Sequence, residues 1–421
     1  MSTADYLRTL PSIRERCSRV FELAKANRLQ YFNYSPEKEA DVTAFCLELL
    51  KRDYKSINDI KPHGRWRHLD AGFPRIEPLV QRWNSVDVEE KARRLIDLTL
   101  VSVLLDAGAG NVWKYTEVST GKVYSRSEGL GVASLHMFEA GLFSGDPSQP
   151  YQADAKGLSE ITVEKVASAM QVNDKNPMAG LDGRTKLLYN LAAALKASPE
   201  YFGASARPGH IVDYLKAQSH LSWDGTYIVP VSSLWAALME GLNPIWPSRI
   251  VFQNKSLGDV WPCPVLDRGA ADKEGDILVP FHKLTQWIAY SLIEVLEQSL
   301  NWHLEGKEDM TGLPEYRNGG LLIDFGVLTL KPDALPIDKD TCLPRAQPSH
   351  PAIVEWRAMT VIGLDRIAIA IRQSLGLTEA QLSLAQVLEG ATWKGGREIA
   401  KVRRPATGGP PIEIESDGTV F

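Results

Sequence analysis

The chain has 421 residues, 44% of them hydrophobic and 24% charged, with a formal net charge of −5. Such a composition suits a globular protein with a large core, and the acidic balance argues against a dedicated nucleic-acid binder. Four scattered cysteines form no CxxC pair, the first residues carry no basic-then-apolar leader, and the longest apolar run, 98–105, is too short to cross a bilayer. A cytoplasmic protein with free thiols and no membrane segment is therefore expected.

Residues 4–33 place Leu7, Leu10, Ile13, Cys17, Val20, Phe21 and Ala24 at helical spacing, and Ser35-Pro36 opens another helix. The loop 61–75 is rich in Arg65, Trp66, Arg67 and His68, residue types that grip a planar anion as readily as they decorate a solvated loop. His63, His68 and Asp70 match no zinc spacing, and no metal is expected. Residues 86–107 predict a central buried helix ending near Gly108. Gly108-Ala109-Gly110 follows a helix rather than a strand, which excludes a dinucleotide loop.

Arg126, Ser127 and Glu128 fall at the start of a helix over 124–141, where an anion could bind or Glu128 could simply favour the dipole. Two amphipathic helices follow over 158–171 and 181–197. Arg207-Pro208-Gly209-His210 opens a further helix, and Arg207 and His210 suit either a phosphate or a surface turn. Asp259, in Gly-Asp-Val-Trp, is a carboxylate expected to be partly buried. Burial raises its pKa and a cation lowers it, so it is either tuned for proton transfer or capping backbone amides. Residues 279–298 predict a helix with His282 and Lys283 in its first turn, unfavourable for cations unless an acid or phosphate lies near.

The stretch Glu315-Tyr316-Arg317-Asn318-Gly319-Gly320 sets an acid, a phenol and a guanidinium side by side. It can be a reactive cluster or a loop capping a helix with Arg317 in a surface ion pair. A long helix is expected over 352–375, another over 379–390, and a Gly/Pro-rich tail over 391–421 holding Trp393, Lys394 and Arg397. No P-loop, GxSxG, HExxH or CxxC motif occurs. The fold class predicted is mostly α, with few short strands, as one unit of 1–421 or two lobes (about 1–150 and 151–421) with the site between them.

LVPFHKLTQW (278–287), TGLPEYRNGGLLIDFGVL (311–328), HPAIVEWRAMTV (350–361), SEGLGVASLHMF (127–138), RPGHIVDYL (207–215) and the terminal SDGTVF (416–421) resemble the uracil-catabolism protein four family, called uracil-regulated protein three in fungi. That family is tied to a route degrading uracil through a ribosyl nucleotide to urea. The order Asp259-x-Trp261, Glu315-Tyr316-Arg317 and Glu355-x-Arg357-Ala358 is also similar to the queuosine-nucleotide N-glycosidases. Those are all-helical, related in fold to helix–hairpin–helix DNA glycosylases, and use a carboxylate to cleave a base from ribose 5-phosphate. This chain departs in having Glu at 315 and a longer segment between 262 and 311.

The resemblance implies a cofactor-independent hydrolase of an N-ribosyl bond acting on a small nucleotide-like substrate. Asp259 and Glu315 would be catalytic. Arg126, Glu128, Arg207, His210, Trp261, His282, Tyr316 and Arg317 would bind substrate. The alternatives are an amidohydrolase or deaminase of a ureido intermediate, and a non-catalytic ligand-binding protein of the same pathway.

Overall fold

Apolar residues three and four apart dominate the sequence, and they wind into helices wherever no proline or glycine interrupts them. The computed structural model describes residues 1–106, 109–110, 112–269 and 274–415. The helices that position the site are α1 (Leu10–Lys25), α2 (Glu39–Asp53), α3 (Val88–Leu104), α4 (Arg126–Glu139), α5 (Lys283–Leu300), α6 (Tyr316–Asp324), α7 (Pro351–Leu375) and α8 (Trp393–Arg403). Strands among the described residues are two to four residues long. Four matter here: β1 (Phe32–Tyr34), β2 (Val260–Pro262), β3 (Leu278–Pro280) and β4 (Leu328–Leu330). β1 pairs antiparallel with β4, Phe32 opposite Leu330, and β2 with β3, Val260 opposite Pro280. The mostly helical architecture with few short strands is as expected.

The core is built on α3 and α5, which pack along each other. α5 is buried at every position from Thr285 to Leu296, and α3 from Arg94 to Leu104. Each large apolar side chain buried there contributes about 1.5–3 kcal/mol. α7 packs on α1, α2 and α6, and α8 closes over α6. One continuous apolar core runs from Leu10 to Ile412. No helix among the described residues is long and apolar enough to cross a membrane.

Three expectations are corrected. The helix expected over 279–298 begins only at Lys283. Residues 278–280 are drawn off as β3, and His282 turns the chain with a left-handed backbone, φ 46°. The Gly/Pro-rich tail expected from 391 contains a whole helix, α8, entered through a wide π turn at Leu388–Thr392. Glycine is a poor helix former, yet α8 holds Gly395-Gly396. In the fold it is the residue that close packing demands: a Cβ at Gly396 would lie 2.2 Å from the carbonyl oxygen of Arg317. The helix expected over 379–390 shrinks to Leu384–Val387 before that turn. Gly108 and the terminal SDGTVF motif lie outside the described residues.

Candidate functional site

Asp259 sits just before β2 and ties the start of α5 in place. Its backbone carbonyl accepts the N–H groups of Phe281 (2.9 Å) and His282 (3.3 Å), and its Oδ2 accepts that of Lys283 (3.0 Å). Arg357 of α7 grips both carboxylate oxygens at 2.8 Å, and the indole N–H of Trp261 donates to Oδ1 at 2.6 Å. The Arg357 guanidinium is itself buried, 4.1 Å over the Phe281 ring. Burial pushes the Asp259 carboxyl up, but Arg357 outweighs it and holds the group well below the usual carboxylate range. Asp259 is therefore a permanent anion whose oxygens are already taken, and it caps amides as well as pairing with a cation.

Glu315 is the N-cap of α6. Its two oxygens accept the N–H groups of Arg317 and Asn318, each at 2.7 Å, which fixes a nearly buried carboxylate in one orientation. Arg317 stacks over Tyr316 (5.4 Å) and Trp393 (4.6 Å), and its guanidinium makes no hydrogen bond or ion pair among the described residues. The surface ion pair considered for Arg317 is not what the chain forms. Arg317 and the Lys283 ammonium both lie in the field of the same two carboxylates, Glu315 and Asp106.

The loop 61–75 joins this site. Arg67, Arg317 and Arg397 converge on the Trp393 ring at 4.4, 4.6 and 5.0 Å. Arg67 is paired with Glu389 at 2.6 Å, Arg397 with Glu128 at 2.8 Å, and Arg65 with Asp106 at 2.9 Å. Burial pushes Glu128 and Glu389 up, yet Arg397 and Arg67 respectively hold both below the ordinary carboxylate range. His63 hydrogen-bonds Glu389 at 2.7 Å and lies 4.6 Å from Trp287; burial keeps it neutral. Five cations (Arg65, Arg67, Arg317, Arg397, Lys283) thus face four carboxylates (Asp106, Glu128, Glu315, Glu389) in a chain whose net charge is negative. The surplus is positive, carried by cations already stripped of much of their water. Such a place favours an anionic, partly planar ligand.

The other candidates lie elsewhere or are already engaged. Arg207 is buried against Asp97 (2.5 Å) and Glu90 (3.0 Å), so two carboxylates neutralise the cation that had been matched to phosphate. His210 bonds Asp213 at 3.0 Å. Arg126 reaches the Thr407 carbonyl at 3.3 Å rather than the Trp393 cluster. His282 is buried and bonds the Leu7 carbonyl through Nε2 at 2.8 Å; burial lowers its pKa, so it is neutral. Trp261 serves Asp259, and Tyr316 underlies Arg317. His63, His68 and Asp70 do not converge: His68 Nε2 meets Arg67 at 3.1 Å, and Asp70 caps Arg75 and Ile76. Among the described residues no three His, Cys, Asp or Glu side chains gather as a metal site.

Sequence reasoning missed Trp393 and Arg397 as site residues, together with Glu389 and Asp106. The signal was present in part, since Trp393 and Arg397 stand four apart and share a helical face. It also missed Glu294, buried on α5 with Oε2 unpartnered beside Glu389. A Cβ at Gly64 would come within 2.2 Å of that oxygen, so Gly64 makes the room for it. Burial, with Glu389 adding to it, raises the Glu294 pKa from 4.5 to about 8. The folded state therefore binds a proton that the unfolded chain has released, and stability falls as pH rises from 4.5 to about 8. That rise sets a ceiling of roughly 5 kcal/mol. Glu294→Gln is expected to abolish the loss: melting curves of variant and parent should nearly coincide at pH 5, with the variant clearly more stable at pH 8.5. Parallel pH dependence in the two would refute it.

Fold and site together define a helical protein with an electropositive, aromatic-walled site beside a rigidly held carboxylate. Comparison with known proteins finds similarity over nearly the whole chain. A family model described as "Protein of unknown function (DUF1688)" matches residues 6–421. The chain is 42% identical over 438 residues to the Uracil catabolism protein 4 of Lachancea kluyveri, covering 99% of this chain and 98% of the relative. It is 43% identical over 425 residues to the Protein urg3 of Schizosaccharomyces pombe, covering 100% and 99%. The chain belongs to this family.

Proposed function

We propose that the protein works in uracil catabolism as a hydrolase of an N-ribosyl bond. The substrate is a ribosylurea-type or opened-ring uracil nucleotide, and the products are urea or a ureide and ribose 5-phosphate. The pathway rests on full-length similarity to a relative named for uracil catabolism. The reaction class rests on one observation: Arg317 and Lys283, two cations with no ion-pair partner of their own among the described residues, lie in the field of the fixed carboxylate of Glu315.

An N-ribosyl bond breaks through a state in which positive charge develops at the sugar carbon. A carboxylate that has already lost its rotational freedom stabilises that charge without reorganising and can take a proton from water. Glu315 has this position, its orientation set by the α6 amides. Asp259 then acts at one remove: with both oxygens on Arg357 it is a poor base, and it holds the start of α5 and Lys283 in register. Arg317 takes the 5′-phosphate, with Trp393 and Tyr316 walling the planar group. We read the helical frame as one of the helix–hairpin–helix glycosylase type.

The test is to incubate purified protein with ribosylurea 5′-phosphate and to follow urea and ribose 5-phosphate by mass spectrometry. Stoichiometric release of both is the expected outcome. Tight binding without turnover would replace this reading with a ligand-binding role. Ammonia release with the ribosyl bond intact would replace it with a deaminase.

A further inference from the structure

Lys283 is the first residue of α5, where the helix dipole presents partial positive charge and repels a cation. The usual compensation is a salt bridge, and none forms: no carboxylate among the described residues reaches its ammonium within ion-pair distance. The charges facing it come from four elements. Glu315 caps α6, Asp106 follows α3, Asp259 precedes β2, and Arg357 lies on α7. Burial lowers the Lys283 pKa, against the pull of Glu315 and Asp106. Its backbone, by contrast, is firmly placed through the Asp259 bond at 3.0 Å and the left-handed turn of His282. The main chain of this lysine is anchored, and its ammonium has no ion-pair partner among the described residues; Arg357, which grips Asp259, also donates to the carbonyl of Pro314 at 3.4 Å, so the start of α5 is tied to the residue preceding Glu315.

We propose that Lys283 is the acid that protonates the departing nitrogen in the N-ribosyl hydrolysis described above, a role that rests on that reading. As the bond between the sugar carbon and nitrogen breaks, its electron pair leaves on nitrogen and takes a proton from the Lys283 ammonium. Water adds its oxygen to the carbon and passes a proton to Glu315. That proton returns to the Lys283 amine, so each cycle consumes one water and restores both side chains. Urea is a poor leaving group as an anion, so the protonation carries much of the rate.

The experiment compares two substrates, ribosylurea 5′-phosphate and 4-nitrophenyl riboside 5-phosphate, whose nitrophenolate departs without a proton. Lys283→Ala is expected to lower kcat about 100-fold or more on the first and less than about 5-fold on the second. Parent enzyme should lose kcat on the urea substrate as pH rises and the ammonium deprotonates; the variant should lose that limb. Lys283→Arg keeps the charge but cannot readily release a proton. It should hold KM near the parent value while still failing on the urea substrate, which covers the case in which the alanine variant does not fold. Equal losses on both substrates, or full rescue by arginine, overturn the role and leave Lys283 as a plain anion anchor. A parent protein that cleaves neither substrate overturns the N-ribosyl reading itself, and the role falls with it.

Discussion

Glu315→Gln will lower kcat on ribosylurea 5′-phosphate by about two to four orders of magnitude, with little change in the fold. The substitution is nearly isosteric. The glutamine carbonyl keeps one of the two α6 amide bonds and its NH2 group cannot accept the other, so the cost in stability is about 1–3 kcal/mol, which leaves the fold in place. What disappears is the negative charge, and with it the stabilisation of the cationic sugar carbon and the acceptor for the water proton. The field that attracts Lys283 and Arg317 weakens as well. Single-turnover rates beside thermal melts separate the two effects. A variant that keeps more than about a tenth of parental kcat would show that Glu315 is only a helix cap.

Asp259→Asn should act first on stability, by about 3–5 kcal/mol, because it leaves the Arg357 guanidinium buried without its counter-charge. An asparagine cannot accept both guanidinium hydrogen bonds, and turning its amide toward Arg357 sets donor against donor. Turnover should fall in the same variant, since the Lys283 backbone loses its anchor. The double variant Asp259→Leu/Arg357→Met removes both charges and should recover most of the stability while staying inactive. Denaturant unfolding of the three proteins tests this. A single Asp259→Asn protein as stable as the parent would mean that the pair contributes nothing. An active double variant would mean that Asp259 has no part in placing the site.

The contrast between these carboxylates shows how far local sequence can be read. Gly258-Asp259-Val260-Trp261 announced an acid beside apolar residues, and two fates were open to it: proton transfer, or amide capping. The deciding partner, Arg357, stands 98 residues away, and no spacing rule reaches that far. Glu315 was easier, because an N-cap is a local motif. Arg207 misled for the opposite reason. An arginine before Pro-Gly-His looks like an anion site, and only the packing of that turn on α3 brings Asp97 and Glu90 to cancel it.

By themselves the residues determined the helical class, the positions of most helices and the presence of an acid–phenol–guanidinium cluster at 315–317. Each of these depends on side chains within a turn or two of one another, so short-range periodicity and capping suffice. Tertiary structure alone decided which cations are spent and which remain. Asp97 takes Arg207, Arg357 takes Asp259, and the glycine pair of α8 lets Trp393 and Arg397 close over Arg317. Coulombic pairing and close packing act through space, between residues that meet only when the core has formed.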